Sequence, residues 1–152
     1  MRVWRLCRRR HTAFDGEGAR RAGGRWNPRG LAIVYTSESL ALAALELLVH
    51  CDAVLSPADL VAISADIPDS LPIERIERAQ LPGDWRLYPA PEALARRGSE
   101  WAETGRTAVL SVPSAVVPRE RNLLLNPAHT DFRRIRLAAG EPFSFDARLA
   151  RS

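Results

Sequence analysis

The chain has 152 residues, 46% of them apolar and 26% charged, which is enough apolar side chain for one ordinary core and excludes wholesale disorder. No apolar run approaches the roughly 20 residues that cross a bilayer, and Met1-Arg2-Val3-Trp4-Arg5 lacks the apolar stretch of an export signal, so the expected location is the cytoplasm. All 22 basic residues are arginine, and nine of them fall in residues 1–30 against only Asp15 and Glu17, so the net charge of +4 belongs to the N-terminal end.

In chain order, a short strand is expected around Arg2 to Leu6, followed by a polar loop punctuated by Gly16, Gly18, Gly23, Gly24 and Gly30. Leu31 to Tyr35 is an apolar, β-prone run suited to a buried strand. Thr36 and Ser37 then offer cap chemistry for a helix from about Glu38 to Cys51. A strand from Leu60 to Ile67 ends at Pro68, and Glu92 to Glu103 reads as a helix closed by Gly105. Thr107 to Val112 is a strand stopped by Pro113, Thr130 to Arg136 a helical turn, and Pro142 to Asp146 a closing strand. Strands and helices mix without a strict βαβ rhythm, so the expectation is one α+β, or mixed α/β, domain over residues 1–152. Cys7 and Cys51 make no disulfide framework, and His11, His50 and His129 do not cluster with them, so no metal site is expected.

Three features look chemical. Gly23-Gly24-Arg25-Trp26-Asn27-Pro28-Arg29-Gly30 can present a guanidinium and an aromatic ring on a tight loop, with Arg25 toward phosphate. The bland alternative is an arginine-rich turn with Trp26 plugging the core. Glu46 sits in Leu40-Ala41-Leu42-Ala43-Ala44-Leu45-Glu46-Leu47-Leu48-Val49, where every helical face is apolar and no neighbour three or four residues away is a firm cation. A carboxylate on a helix expected to be buried either reaches a cleft or pairs with an arginine from elsewhere. Ser114 follows Pro113 at a strand end, with Ser111 as a rival, while Asn122, Asn126 and His129 read most simply as turn and cap residues. A serine hydrolase would want G-x-S-x-G, which is absent. Tyr35 closes a strand between the loop and the helix, where it could be core or cleft.

Taken together, Gly16-Glu17-Gly18-Ala19-Arg20, Gly23-Gly24-Arg25-Trp26-Asn27, Val34-Tyr35, Ala43-Ala44-Leu45-Glu46 and Val112-Pro113-Ser114 with Asn122 and Asn126-Pro127 resemble the RES domain, over about residues 2–146. The resemblance implies an ADP-ribosyltransferase-like fold and a toxin of a toxin–antitoxin module. It would degrade NAD⁺ by cleaving the nicotinamide–ribose bond, by hydrolysis or phosphorolysis, with NAD⁺ as substrate and no resident cofactor. The implied catalytic set is Arg25, Tyr35, Glu46 and Ser114, with Ser114 orienting either Glu46 or the ribose. Arg5, Trp26, Asn27 and Asn122 join Arg25, Tyr35 and Ser114 as substrate contacts. The implied partner is an Xre-family DNA-binding antitoxin, with a toxin homodimer inside the complex and inorganic phosphate as a candidate acceptor; neither direct nucleic-acid binding nor membrane attachment is implied. Transfer of ADP-ribose to a protein is the rival enzyme reading. A basic nucleic-acid-binding module built on residues 1–30 is the non-catalytic one, although no helix-turn-helix or zinc finger is visible.

Overall fold

The computed structural model describes residues 1–50 and 58–150. Eight strands join in one sheet. They are β1 (Arg2–Arg8), β2 (Val34–Ser37), β3 (Leu60–Asp66), β4 (Ile73–Arg75), β5 (Val109–Pro113), β6 (Arg121–Leu125), β7 (Arg136–Leu137) and β8 (Glu141–Phe143). The order is β4-β5-β6-β2-β1-β3-β7, with β8 also pairing β3, and only the β4–β5 pair is parallel. Among the described residues, three α-helices accompany it: α1 (Glu17–Ala22), α2 (Leu40–His50) and α3 (Glu92–Thr104). The mixed α and β character read from the sequence is what the molecule has, with its strands in one continuous sheet.

Alternation along the strands gives the sheet two faces with different work. Val3, Cys7, Val61, Ile63, Val109, Leu123 and Leu125 fill one face, joined by Phe14 and Ile135. On the other face lie two neighbouring clusters. Leu110, Val112 and Leu124 meet Trp26, Ile33, Trp85, Leu94 and Trp101 beneath α3, while Leu6, Leu60 and Ala62 meet Ala43 of α2. The site described below lies on this second face, where α2 approaches the ends of β2, β5 and β6.

Several boundaries differ from the sequence expectation for identifiable reasons. The Gly-rich loop contains α1, whose Glu17 carboxylate binds Arg20 and Arg21. The paired guanidiniums hold that exposed carboxyl at about 2, below the usual range. The strand expected at Leu31 begins only at Val34, since residues 28–31 complete the loop closed by a Gly30 N–H bond to the Arg20 carbonyl. Thr36 and Ser37 do not cap α2. Their hydroxyls donate to the Leu123 carbonyl and to Asn122 Oδ1, and Ser39 Oγ accepts the Leu42 N–H instead. The expected helix end at Cys51 lies outside the described residues. α3 ends as read, on Gly105 at φ 64° with its N–H on the Trp101 carbonyl. At Gly98 a Cβ would come within 1.7 Å of the Trp26 carbonyl oxygen, so only glycine lets α3 lie this close to the Arg25 loop.

Candidate functional site

Glu46 projects from α2 toward the far ends of two strands. Its Oε1 accepts a hydrogen bond from Ser114 Oγ at 2.7 Å and another from Asn122 Nδ2 at 2.7 Å. Both donors are themselves held. Ser114 Oγ accepts the Val116 and Val117 N–H groups at 3.0 Å each, and Asn122 Oδ1 accepts from Ser37 Oγ at 2.8 Å. The carboxylate is thereby aimed by neutral donors, and its Oε2 has no hydrogen-bond partner among the described residues. Glu46 is half-buried on a helix with an uncovered outer face, where Leu45 and Val49 stand exposed. The fully buried helix expected from the sequence is corrected: only Leu42 and Ala43 of α2 are buried, because one side alone meets the sheet. The expected alternative of an Arg–Glu46 ion pair is likewise not found among the described residues.

Arg25 stands nearby on the tight loop. Its Nη1 donates to the carbonyls of Trp85 at 2.7 Å and Leu87 at 3.0 Å, leaving Nε and Nη2 without partners among the described residues. Burial lowers the guanidinium pKa, opposed by the charge of Glu46.

The loop behind Arg25 is locked by the residues the sequence reading had placed against a ligand. Asn27, 1% exposed, donates from Nδ2 to the carbonyls of Ala19, Pro28 and Leu31. Tyr35 donates its hydroxyl to Asn27 Oδ1 at 2.6 Å and accepts the Trp26 N–H at 3.1 Å. Burial raises the Tyr35 phenol well above its ordinary value, so it stays a neutral donor. Gly24 permits this closeness, since a Cβ there would lie 2.8 Å from the Tyr35 hydroxyl. Trp26, 2% exposed, is a core residue beneath α3. Trp26 and Asn27 therefore build the loop and are closed to a ligand, and the Tyr35 hydroxyl holds Arg25's loop.

Two further placements correct or narrow the sequence reading. Arg5 lies across the sheet from Glu46: its neighbour Trp4 pairs with Ser37 on the site face, so Arg5 points to the other. There it donates to the Ala13 carbonyl at 2.8 Å and covers the Phe14 ring. Ser114 is 0% exposed, so its hydroxyl reaches Glu46 but no ribose. Its rival Ser111 faces away and accepts from Arg121 Nε at 2.7 Å. Asn126 and His129 are turn and cap residues, as read. Ser37 was missed as a site residue because its sequence context spoke only for a helix cap; its pairing with Asn122 in the β2–β6 register is what brings it in.

Comparison with known proteins decides the family, since the RES domain model matches residues 2–146. The chain belongs to the RES domain family. Its relatives include the Prs ADP-ribosylating toxin of Sphingobium sp. (strain YBL2), 40% identical across 97% of this chain and 96% of that protein. Another is the Toxin Res of Yersinia enterocolitica, 39% identical across 98% of this chain and 99% of its own length. Among solved structures, the M. tuberculosis MbcT–MbcA toxin–antitoxin complex contains a chain of the same fold. It superposes with a TM-score of 0.76 at 20% identity, covering 94% of this RES chain and 84% of the other.

Proposed function

We propose that this RES domain protein is the toxin of a toxin–antitoxin module and that it cleaves the nicotinamide–ribose bond of NAD⁺. The observation that carries the reading is Glu46, with one carboxylate oxygen fixed by Ser114 and Asn122 and the other open beside Arg25. Departure of nicotinamide leaves positive charge on the ribose, an oxocarbenium-like state. A fixed carboxylate gains interaction as that charge develops, so it stabilises the transition state more than the bound dinucleotide. Ser114 and Asn122 are positioning residues in this scheme: they settle where the carboxylate points before substrate arrives. Arg25 offers its two unengaged nitrogens to the pyrophosphate or its neighbouring ribose.

The test is release of nicotinamide from NAD⁺ by the purified chain, with loss of that release in Glu46→Gln. A folded protein that leaves NAD⁺ intact overturns the reading. Expression alone should arrest growth as cellular NAD⁺ falls, and co-expression of an adjacent antitoxin gene should restore both. We expect that partner to be of Xre type and to present carboxylates to the Arg25 loop, where charge complementarity speeds encounter.

One observation favours a second reading, in which ADP-ribose passes to a protein side chain: the 40% identical relative carries the name ADP-ribosylating toxin. The same carboxylate serves either acceptor. Radiolabel from the adenylate half of NAD⁺ separates the two, remaining on protein for transfer and appearing as free ADP-ribose, or its phosphorylated form, for cleavage.

A further inference from the structure

An NAD⁺ site needs a surface for its rings, and of the two aromatic residues nearest Arg25 in sequence one is buried and the other only partly exposed. The Trp26 ring is in the core, and Tyr35 packs against the same cluster with its hydroxyl engaged. A third aromatic stands in the open. Tyr88 is 81% exposed, on a segment whose other members are tied to the site from three directions. Arg25 holds the carbonyls of Trp85 and Leu87 on either side of Arg86. Arg86 Nε donates to the Ala115 carbonyl at 2.9 Å, one residue beyond Ser114. The Tyr88 ring then meets the His50 ring edge-on, with centroids 6.5 Å apart, and His50 lies one helical turn beyond Glu46 on α2.

A ring this exposed buries little apolar surface and contributes little to folding. Its segment is nevertheless fixed to the elements that carry Arg25, Glu46 and Ser114. We propose that Tyr88 is the aromatic face that receives the pyridinium ring of NAD⁺, its segment held beside Arg25 by that residue's bonds to the Trp85 and Leu87 carbonyls; this rests on the NAD⁺ reading above. The carbon at which Glu46 acts is bonded directly to that ring, and Tyr88 meets His50, which lies one helical turn from Glu46. The oxidised ring carries a positive charge, and a cation over a tyrosine face is attracted by the ring's quadrupole. The reduced dinucleotide has a neutral ring and forgoes that attraction. Tyr88 is thus a specificity residue that favours NAD⁺ over NADH. Arg25 acquires a second task, since removing it frees the segment that carries Tyr88 as well as a phosphate contact.

The test measures binding rather than turnover. In a Glu46→Gln background, where NAD⁺ survives, titration with NAD⁺ and NADH is compared for Tyr88, Tyr88→Phe and Tyr88→Leu. The expected result is about a fivefold to tenfold loss of NAD⁺ affinity in Tyr88→Leu, little loss for NADH, and recovery in Tyr88→Phe, which keeps the ring. Unchanged NAD⁺ affinity in Tyr88→Leu overturns the proposal. So does an equal loss for both dinucleotides, which would mark ordinary packing. A parent chain that binds NAD⁺ through Tyr88 yet releases no nicotinamide sinks the cleavage reading alone. A parent that cleaves NAD⁺ while Tyr88→Leu binds as before sinks only the aromatic platform.

Discussion

Arg121 and Asn122 are neighbours on β6 that face opposite sides of the sheet, and each leads to a serine near the end of β5. On one face Arg121 donates from Nε to Ser111 Oγ and from Nη2 to the carbonyls of Ile76 at 2.6 Å and Ser111 at 2.9 Å, while Nη1 lies 3.4 Å from Glu77. On the other, Asn122 and Ser114 converge on a single oxygen of Glu46. Both clusters join an ionised side chain to a serine and a strand end. In the first, every guanidinium nitrogen has a partner, and the group clamps β4, β5 and β6 together. In the second, the ionised group is fixed through one atom and open at the other. A charge whose bonding capacity is filled by the fold holds the fold; one left half-filled in a defined direction is available to a ligand.

Charge removal should separate the two clusters most sharply. Glu46→Gln keeps shape and can still accept from Ser114, so we expect its melting temperature to stay close to that of the parent while nicotinamide release falls about a hundredfold or more. Collapse of the fold in this variant would place Glu46 with Arg121 as a structural group. Arg121→Ala should do the reverse, costing about 2 kcal/mol because several charge-assisted bonds are lost inside the sheet. For a chain of this length that lowers the midpoint by about 5 °C, and the activity of the remaining folded fraction should match the parent. Parental stability in Arg121→Ala would break the comparison from its other side.

Smaller effects should sharpen it. Ser114→Ala and Asn122→Ala each remove one of the two donors that aim Glu46. We expect about tenfold losses in kcat with KM little changed, and a double variant less impaired than the product of the singles, because the donors share one oxygen. A selective rise in KM would instead mean that Asn122 touches the dinucleotide. Tyr35→Phe removes a hydroxyl that serves Asn27 and the Trp26 amide, so a loss of about 1 kcal/mol is expected, seen in chemical denaturation. Arg25→Lys should be the mildest at the level of charge, recovering part of the NAD⁺ affinity lost in Arg25→Ala. An ammonium cannot hold two carbonyls and a phosphate with one planar fork.

Much of this architecture was legible in the residues. The strands at Leu60 and Thr107, the helix closed by Gly105 and the conflict of Glu46 with an apolar helix all follow from local chemistry. So did the preference for Ser114 over Ser111, which the Pro-Ser context supported and strand alternation now explains. What could not be read locally depended on pairing between distant segments. Asn122 looked like a turn residue because its function comes from β6 lying beside β2, with Ser37 opposite it 85 positions earlier. Trp26 and Asn27 carried the resemblance yet serve the loop, since sequence alone does not say which side of a tight turn faces inward. That Arg5 faces away from Glu46 follows only from the β1–β2 register, which no local pattern reveals. Nothing in the sequence around Tyr88 marks it, because what brings it to the site are contacts with distant segments, from Arg25, Ala115 and His50.

The contact between Gly98 and the Trp26 carbonyl gives this molecule a remote control. A methyl at position 98 has no space, so Gly98→Ala must push α3 and the Arg25 loop apart, although nothing chemical has been touched. Such a change loosens the junction, and heat loosens it further. The variant should therefore behave as a temperature-conditional allele, toxic when cells grow cool and harmless when they grow warm. That would let the protein be produced, stored and then switched on by cooling, without any antitoxin in the cell.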